Sequence, residues 1–488
     1  MARLRHLIVV LPGIGGSILS RGDAHVWDAT PANALHRLVD PSHLAVADDD
    51  GVEATGLAGP FGVVPFWMPF PGYHSLLKML ASPFSPGPVV DDGSRGHRNL
   101  LADIAAVPYD FRRSIADSAS MVDADVRARR DARRAQDRPD RFIVVAHSLG
   151  GLVARHWLAT SEEAAAGCDH LLTLGTPHQG SPKALDVLVN GVRAAGRTWV
   201  RASRLLRTWP SLHELLPRYG AVLDAAPDAG VIRRPYEMAL PGVDALLIQR
   251  AVAAHSMIDG GWAPGGFASG VTVTPFVGVA QQTCLAARWD GRQLHMEVGT
   301  PPWMSGTARF GDATVPDGAA TPKEGDNSRS REVACRHGWL VLVDDVAQLV
   351  RRVTDPETEP FLGDATAQPA GHVALDLEQD FVVAGELTVA RVRLRAPDGA
   401  PVGPGVAEPT VRLRLAAPGA APTKVECIAD NGHSWLVEIR SPIAGQYVIE
   451  ASAPGWLGPE QPPVKELLTV VSAADAADAT AEDEAGAA

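Results

Sequence analysis

Residues 141–155, Arg-Phe-Ile-Val-Val-Ala-His-Ser-Leu-Gly-Gly-Leu-Val-Ala-Arg, limit the possible folds of this chain more than any other stretch. Phe142, Ile143, Val144 and Val145 are bulky and apolar, as expected of a short strand buried on both faces. Leu152, Val153, His156 and Trp157 then recur at helical spacing. Ser148 stands between the two patterns, with Ala146, Gly150 and Gly151 around it. A strand that turns straight into a helix strains the backbone of its corner residue and exposes that residue's side chain, and small neighbours make room for the corner. The segment is therefore expected to be a nucleophile elbow presenting Ser148, with Ala146 where glycine is more usual. A plain turn whose serine caps the helix is the competing reading.

The rest of the first 180 residues is consistent with such a corner. Residues 7–11 form a second buried-strand run, followed by Pro12-Gly13-Ile14-Gly15-Gly16-Ser17. A loop this rich in glycine brings backbone close to a neighbour or a ligand. In folds built around an elbow, the first such loop donates one N–H to an oxyanion hole and the residue after the nucleophile donates another. A bare turn also fits; a phosphate cradle fits poorly, since no Gly-Lys-Ser/Thr ending follows. Tyr109-Asp110-Phe111-Arg112 reads as an ion pair locking a loop, and residues 114–138 as a charged outer helix facing solvent. Residues 170–174 form a further strand, leaving through Gly175-Thr176-Pro177. Strands alternating with helices predict a mostly parallel sheet with helices on both faces.

Net charge and cysteine usage exclude several function classes. At −13 over 488 residues the chain lacks the basic surface that nucleic acid requires. Its four cysteines show no metal-ligand spacing and no disulfide framework, so no metal and no cofactor is expected. The apolar run at residues 61–80 is broken by Pro65, Pro69 and Pro71 and cannot span a bilayer as a helix. With no signal peptide visible at residues 1–11, a cytoplasmic location is expected.

Residues 50–100 and 183–265 interrupt the alternation. The first gathers Phe66, Trp67, Phe70, Tyr73 and Phe84 among prolines, which suits a core or a lid over an acyl groove. The second reads as mainly helical and lies where a cap over the site belongs. After the proline-containing stretch at 354–371 the pattern changes to period two, as in Val392 and Leu394 between Arg391, Arg393 and Arg395. The expected organisation is a domain at 1–353 with two insertions, a linker at 354–371, an immunoglobulin-like β-sandwich at 372–471 and a disordered acidic tail at 472–488.

A serine nucleophile requires a base, and the base an acid that holds its tautomer. The order nucleophile, acid, histidine places both after the cap, on loops leaving strands. Asp312, in Gly311-Asp312-Ala313-Thr314, and His337, in Arg336-His337-Gly338, meet these demands. Asp290 with His295, Asp317 and His255 are weaker competitors. The ordered series Pro12 to Ser17, Tyr109-Asp110-Phe111-Arg112, Ala146-His147-Ser148-Leu149-Gly150-Gly151, Gly175-Thr176-Pro177 and Gly311-Asp312-Ala313-Thr314-Val315-Pro316 resembles the lecithin:cholesterol acyltransferase-like family of α/β-hydrolases. The resemblance covers about residues 7 to 350 and implies an α/β-hydrolase fold. It also implies Ser148, Asp312 and His337 as the triad, and an oxyanion hole formed by the amides of Ile14 and Leu149.

The function expected from residues and resemblance together is a serine hydrolase or acyltransferase acting on lipid acyl esters. An esterase for non-lipid acyl esters and a scaffold protein with an idle hydrolase domain are the alternatives. The lid-like segment is the candidate for transient membrane contact, and the sandwich for a protein partner.

Overall fold

Seven strands, all parallel, form the central sheet of the N-terminal part of the computed structural model. In chain order these are β1 (Leu7–Leu11), β2 (Val90–Asp91), β3 (Ile104–Ala106), β4 (Phe142–His147), β5 (Cys168–Leu174), β6 (Thr272–Gly278) and β7 (Arg331–Val333). Their spatial order is β7-β6-β5-β4-β1-β3-β2. Both β1 and β4 are buried along their whole length, as their unbroken apolar runs require. Val9 of β1 lies opposite Val144 on one side and Ala105 on the other. The described residues are 4–474 and 476, apart from 29–39, 48–49, 61–69, 195–196, 226–229, 300, 302–309, 325–328, 356–370, 380, 398–399, 417–418, 431, 442 and 459–460.

The main helices are α1 (Tyr73–Ala81), α2 (Ile115–Arg134), α3 (Leu149–Thr160), α4 (Pro182–Asn190), α5 (Pro210–Glu214), α6 (Ala245–Trp262) and α7 (Asp344–Thr354). The solvated outer helix expected at 114–138 is only half correct. Helix α2 buries Arg129, Arg130 and Arg133. Arg129 reaches Asp91 on β2 at 2.9 Å, and Arg133 donates to the carbonyl of Ala102 at 3.1 Å. The arginine stems fill the space beside the sheet while their heads are neutralised at its edge, so charge along this helix does not mark the wet face.

The segment expected to be mainly helical, residues 183–265, mixes helices with short strands. Val222–Asp224 and Val231–Arg233 join Cys284–Trp289 and Leu294–Val298 in a four-stranded sheet. Within residues 50–100, Val52–Leu57 belongs to a three-stranded sheet, α1 follows, and β2 joins the central sheet at its edge. The aromatic cluster expected there is described only from Phe70 onward; residues 61–69 lie outside the described residues.

Two further sheets of five strands each make up the C-terminal part. One contains His372–Leu377, Leu387–Arg395, Pro401–Val402, Ile428–Asp430 and Ser434–Arg440. The other contains Phe381–Val383, Thr410–Leu415, Thr423–Val425, Gly445–Ser452 and Val464–Val471. Val392 and Leu394 from one and Ile449 and Leu468 from the other meet in a shared core around Trp435. Alternate residues of Leu387–Arg395 are buried, which is the period-two signal seen in the sequence. Apart from residues at their ends, the expected linker and acidic tail lie outside the described residues.

Candidate active site

Ser148 occupies the junction of β4 and α3 with φ 53° and ψ −124°. A non-glycine residue in this region stores about 1–3 kcal/mol of strain, which the surroundings must hold in place. The Ser148 amide donates to the Leu174 carbonyl at 2.9 Å, tying the corner to β5. A β-carbon on Gly150 would stand 2.5 Å from the Pro12 carbonyl oxygen, and one on Gly151 would stand 1.9 Å from Thr176 Oγ1. These two contacts explain the paired glycines: α3 starts flush against two loops. Among the described residues the Ser148 side chain makes no capping bond to the helix, which removes the competing reading of this corner.

The hydroxyl points instead at His337. Ser148 Oγ lies 2.9 Å from His337 Nε2, and His337 Nδ1 lies 2.7 Å from Asp312 Oδ2. Asp312 is fully buried, and its other oxygen accepts the amides of Thr314 at 2.9 Å and Val315 at 2.7 Å. With Oδ2 left as an acceptor, Nδ1 carries the imidazole proton and Nε2 faces the serine with a lone pair. Gly175, at φ 59°, lets β5 end directly behind this pair: a β-carbon there would be 2.9 Å from both Asp312 Oδ2 and His337 Nδ1. Parallel sheet, strained elbow and serine–histidine–aspartate contact stand together in one chain, with the three side chains in the chain order Ser148, Asp312, His337.

The N-terminal part is an α/β-hydrolase fold.

A family model described as a PGAP1-like alpha/beta domain matches residues 111–206, which span α2, the elbow and β5. No curated protein matches the sequence. Among solved structures, lipase BlEst2 of Bacillus licheniformis in its mature form is 12% identical with a TM-score of 0.34, over 72% of this chain and 91% of that one. The propeptide form of the same lipase is 12% identical with a TM-score of 0.34, over 95% of this chain and 93% of that one. The Lin-41 filamin domain is 13% identical with a TM-score of 0.16, over 20% of this chain and 91% of the domain.

The glycine-rich loop runs alongside the hydrolase elbow. A β-carbon on Gly13 would lie 2.9 Å from Ser148 Cβ. Three aromatic side chains hold the loop: Tyr109 Oη donates to the Pro12 carbonyl at 2.7 Å, Trp27 Nε1 donates to the Gly15 carbonyl at 2.9 Å, and Gly13 N–H donates to Tyr73 Oη at 2.6 Å. Among the described residues the amides of Ile14 and Leu149 donate to no acceptor. The Tyr-Asp-Phe-Arg motif thus contributes an anchor through Tyr109. Its Asp110 and Arg112 form the expected buried ion pair, with the Arg112 head held at 2.9 and 2.7 Å.

Tyr73 connects this loop, through His147, to the backbone of His337. Its Oη lies 2.8 Å from His147 Nδ1, and His147 Nε2 lies 3.2 Å from the carbonyl oxygen of His337. A carbonyl only accepts, so His147 Nε2 carries the proton and Nδ1 receives the tyrosine O–H. Burial, with His337 nearby, holds the His147 imidazole well below its ordinary pKa and so neutral. Burial likewise raises the Tyr73 phenol, which keeps its proton. The relay therefore runs Gly13 N–H to Tyr73 O–H to His147 to the His337 backbone, without a net charge. Sequence reasoning gave neither residue this role. His147 was signalled only by its place beside the serine, and Tyr73 by nothing beyond an aromatic cluster.

A cleft of about 700 Å³, counting its open mouth, leads to Ser148 and His337 and is lined mainly by apolar groups, among them Ile14, Phe70, Val187, Leu212, Leu215 and Val315. The competing acids and histidines are engaged elsewhere. Asp290 and His295 pair with each other at 2.9 Å across an exposed hairpin turn. His255 on α6 lies 2.7 Å from the Glu214 carbonyl, and Asp317 sits at the start of a short 3-10 turn. Among the described residues no group of three or more His, Cys, Asp or Glu side chains is placed to hold a metal ion, and no helix is long and apolar enough to cross a membrane.

Proposed function

We propose that the protein is a serine ester hydrolase or acyltransferase acting on lipid acyl esters through an acyl-enzyme on Ser148. The observation that carries this reading is the hydrogen-bonded chain from Ser148 Oγ to His337 to Asp312, set on a strained elbow at the floor of an apolar cleft. Ser148 Oγ attacks the ester carbonyl carbon as its proton passes to His337 Nε2, and Asp312 stabilises the resulting imidazolium. The tetrahedral oxyanion is held by the amides of Ile14 and Leu149, where each preorganised donor contributes about 3–4 kcal/mol to the transition state. Collapse expels the alcohol, which takes the proton back from His337. Water or an acceptor hydroxyl then attacks the acyl-enzyme, with His337 again accepting the proton, and Ser148 is released.

The apolar lining supports a long acyl chain over acetyl, because each buried methylene contributes about 0.8 kcal/mol. Acyl transfer is supported by the motif series that resembles the lecithin:cholesterol acyltransferase-like family. A fluorophosphonate probe should label the intact protein and not Ser148→Ala. Across a panel of acyl esters, turnover should rise from acetyl toward long chains. An unlabelled intact protein would refute the enzyme reading, and a preference for acetyl would refute the lipid reading.

A further inference from the structure

Two loops of the hydrolase domain bring acid and base to Ser148, and both are gripped by the C-terminal sandwich. The first grip is on the acid side. Gln281 N–H donates to the Gly311 carbonyl at 2.9 Å, and Gln281 forms a bridge with Asp312 itself. The Gln281 side chain is fully buried. Its amide nitrogen donates to the Val373 carbonyl at 3.0 Å, and its amide oxygen accepts the Leu375 N–H at 3.2 Å. One glutamine thus pairs with the edge of sandwich strand His372–Leu377 as another strand would, while its own backbone carries the acid loop.

The second grip is on the base side. Arg336, the residue before His337, is buried and forms an ion pair with Glu466, itself 1% exposed, from strand Val464–Val471. Arg336 also donates to the Leu375 carbonyl. Two residues beyond His337, Trp339 packs against Val448 and Leu467 of the sandwich. The two loops also meet each other, through His337 N–H donating to the Asp312 carbonyl at 2.8 Å.

The geometry points to the sandwich as a built-in part of the active site, with Gln281 and Arg336 as positioning residues that set the Asp312–His337–Ser148 alignment through their contacts with it. The inference rests on the serine-hydrolase reading above. A buried charge pair is a poor source of net stability but fixes one arrangement over its neighbours, since any displacement leaves both charges desolvated and unpaired. The same holds for a buried glutamine whose two bonds are both to backbone. An acid–base pair needs that kind of constraint, because a displacement of about 1 Å in a catalytic group costs up to about 10²-fold in rate.

The test uses the full chain. Gln281→Met removes both bonds to the sandwich backbone, and Glu466→Gln removes the more deeply buried charge partner of Arg336, leaving Asp376 at 3.8 Å. Each is assayed on the fraction that elutes and melts as folded protein, beside Trp435→Phe, which weakens the sandwich core and leaves the bonds of Gln281 and Arg336 in place. Gln281→Met and Glu466→Gln should lower kcat at least about tenfold with KM within about twofold. Both should weaken the downfield proton resonance of the His337–Asp312 hydrogen bond, while Trp435→Phe retains kcat and the resonance. Arg336→Lys should retain more kcat than Arg336→Met. The inference is overturned if both contact variants keep wild-type kcat, or if Trp435→Phe loses as much. If wild-type turnover does not depend on Ser148, the serine-hydrolase reading has failed instead, an outcome the Ser148→Ala control separates from the first two.

Discussion

Replacing Tyr73 by phenylalanine removes a single oxygen atom and disconnects two loops of the site. The ring and its contact with Phe70, centroids 4.3 Å apart, are kept. The Gly13 N–H and His147 Nδ1, both bonded to that oxygen in the buried interior, lose their partner. Each stranded group costs about 1–3 kcal/mol, so folding stability should fall by about 2–6 kcal/mol. Under the proposed mechanism the kinetic effect comes through the amide of Ile14, the next residue after Gly13. Deleting an oxyanion donor outright costs about 10²- to 10³-fold in kcat, and loosening the loop that carries one should cost about 10- to 100-fold. KM should move by less than about twofold, because the lost interaction exists only in the transition state. Steady-state hydrolysis of a chromogenic ester and a urea titration of the same preparation measure the two effects. His147→Gln cuts the relay one link further on, so the double variant should lose scarcely more kcat than the worse single one. A Tyr73→Phe enzyme that loses stability while keeping wild-type kcat would show that Tyr73 only packs, and so would fully additive losses in the double variant.

Two other perturbations separate scaffold from chemistry. Asp110→Asn leaves the buried Arg112 guanidinium, among the described residues, with Asp50 as its carboxylate partner and the Ala45 carbonyl beside it. It should lower the urea-derived stability by about 3–5 kcal/mol while the folded fraction keeps its kcat. Glu214 on α5 accepts the Ile115 N–H at 2.7 Å, and burial pushes its carboxyl up to about 8. The folded state therefore binds this proton more tightly than the unfolded chain, so its contribution is full below about 4.5 and is lost as pH rises toward about 8. Glu214→Gln should flatten that decline. Thermal melts between pH 5 and 8 that run parallel for the two proteins would contradict the assignment.

Much of the site is legible in the linear chain because its constraints are local. The corner at Ser148 is written in the small residues that α3 requires against Pro12 and Thr176, and in the strand and helix patterns on either side. Asp312 and His337 follow from the order of elements along the chain. The sandwich is visible from strands such as Leu387–Arg395, whose period-two alternation needs no knowledge of its partners, whereas Val464–Val471 is buried at almost every position and carries no such signal. Helix α2 shows where such reading fails: arginine is the same letter on a wet face as beside Asp91 and the Ala102 carbonyl, and only the positions of β2 and of the turn before β3 decide between them.

The sequence by itself determined the elbow, the alternation that builds the parallel sheet, and the two loops where acid and base are sought. Tertiary structure alone decided that Tyr73 and His147 join the glycine loop to the His337 backbone, and that Gln281 and Arg336, on the loops that carry Asp312 and His337, bond to the sandwich. The physical reason is distance along the chain. Backbone strain, glycine clearance and hydrophobic period act over a few residues and leave a local pattern. A hydrogen bond between residue 73 and residue 147, or between residue 281 and residue 373, exists only once the packed core has brought remote segments together.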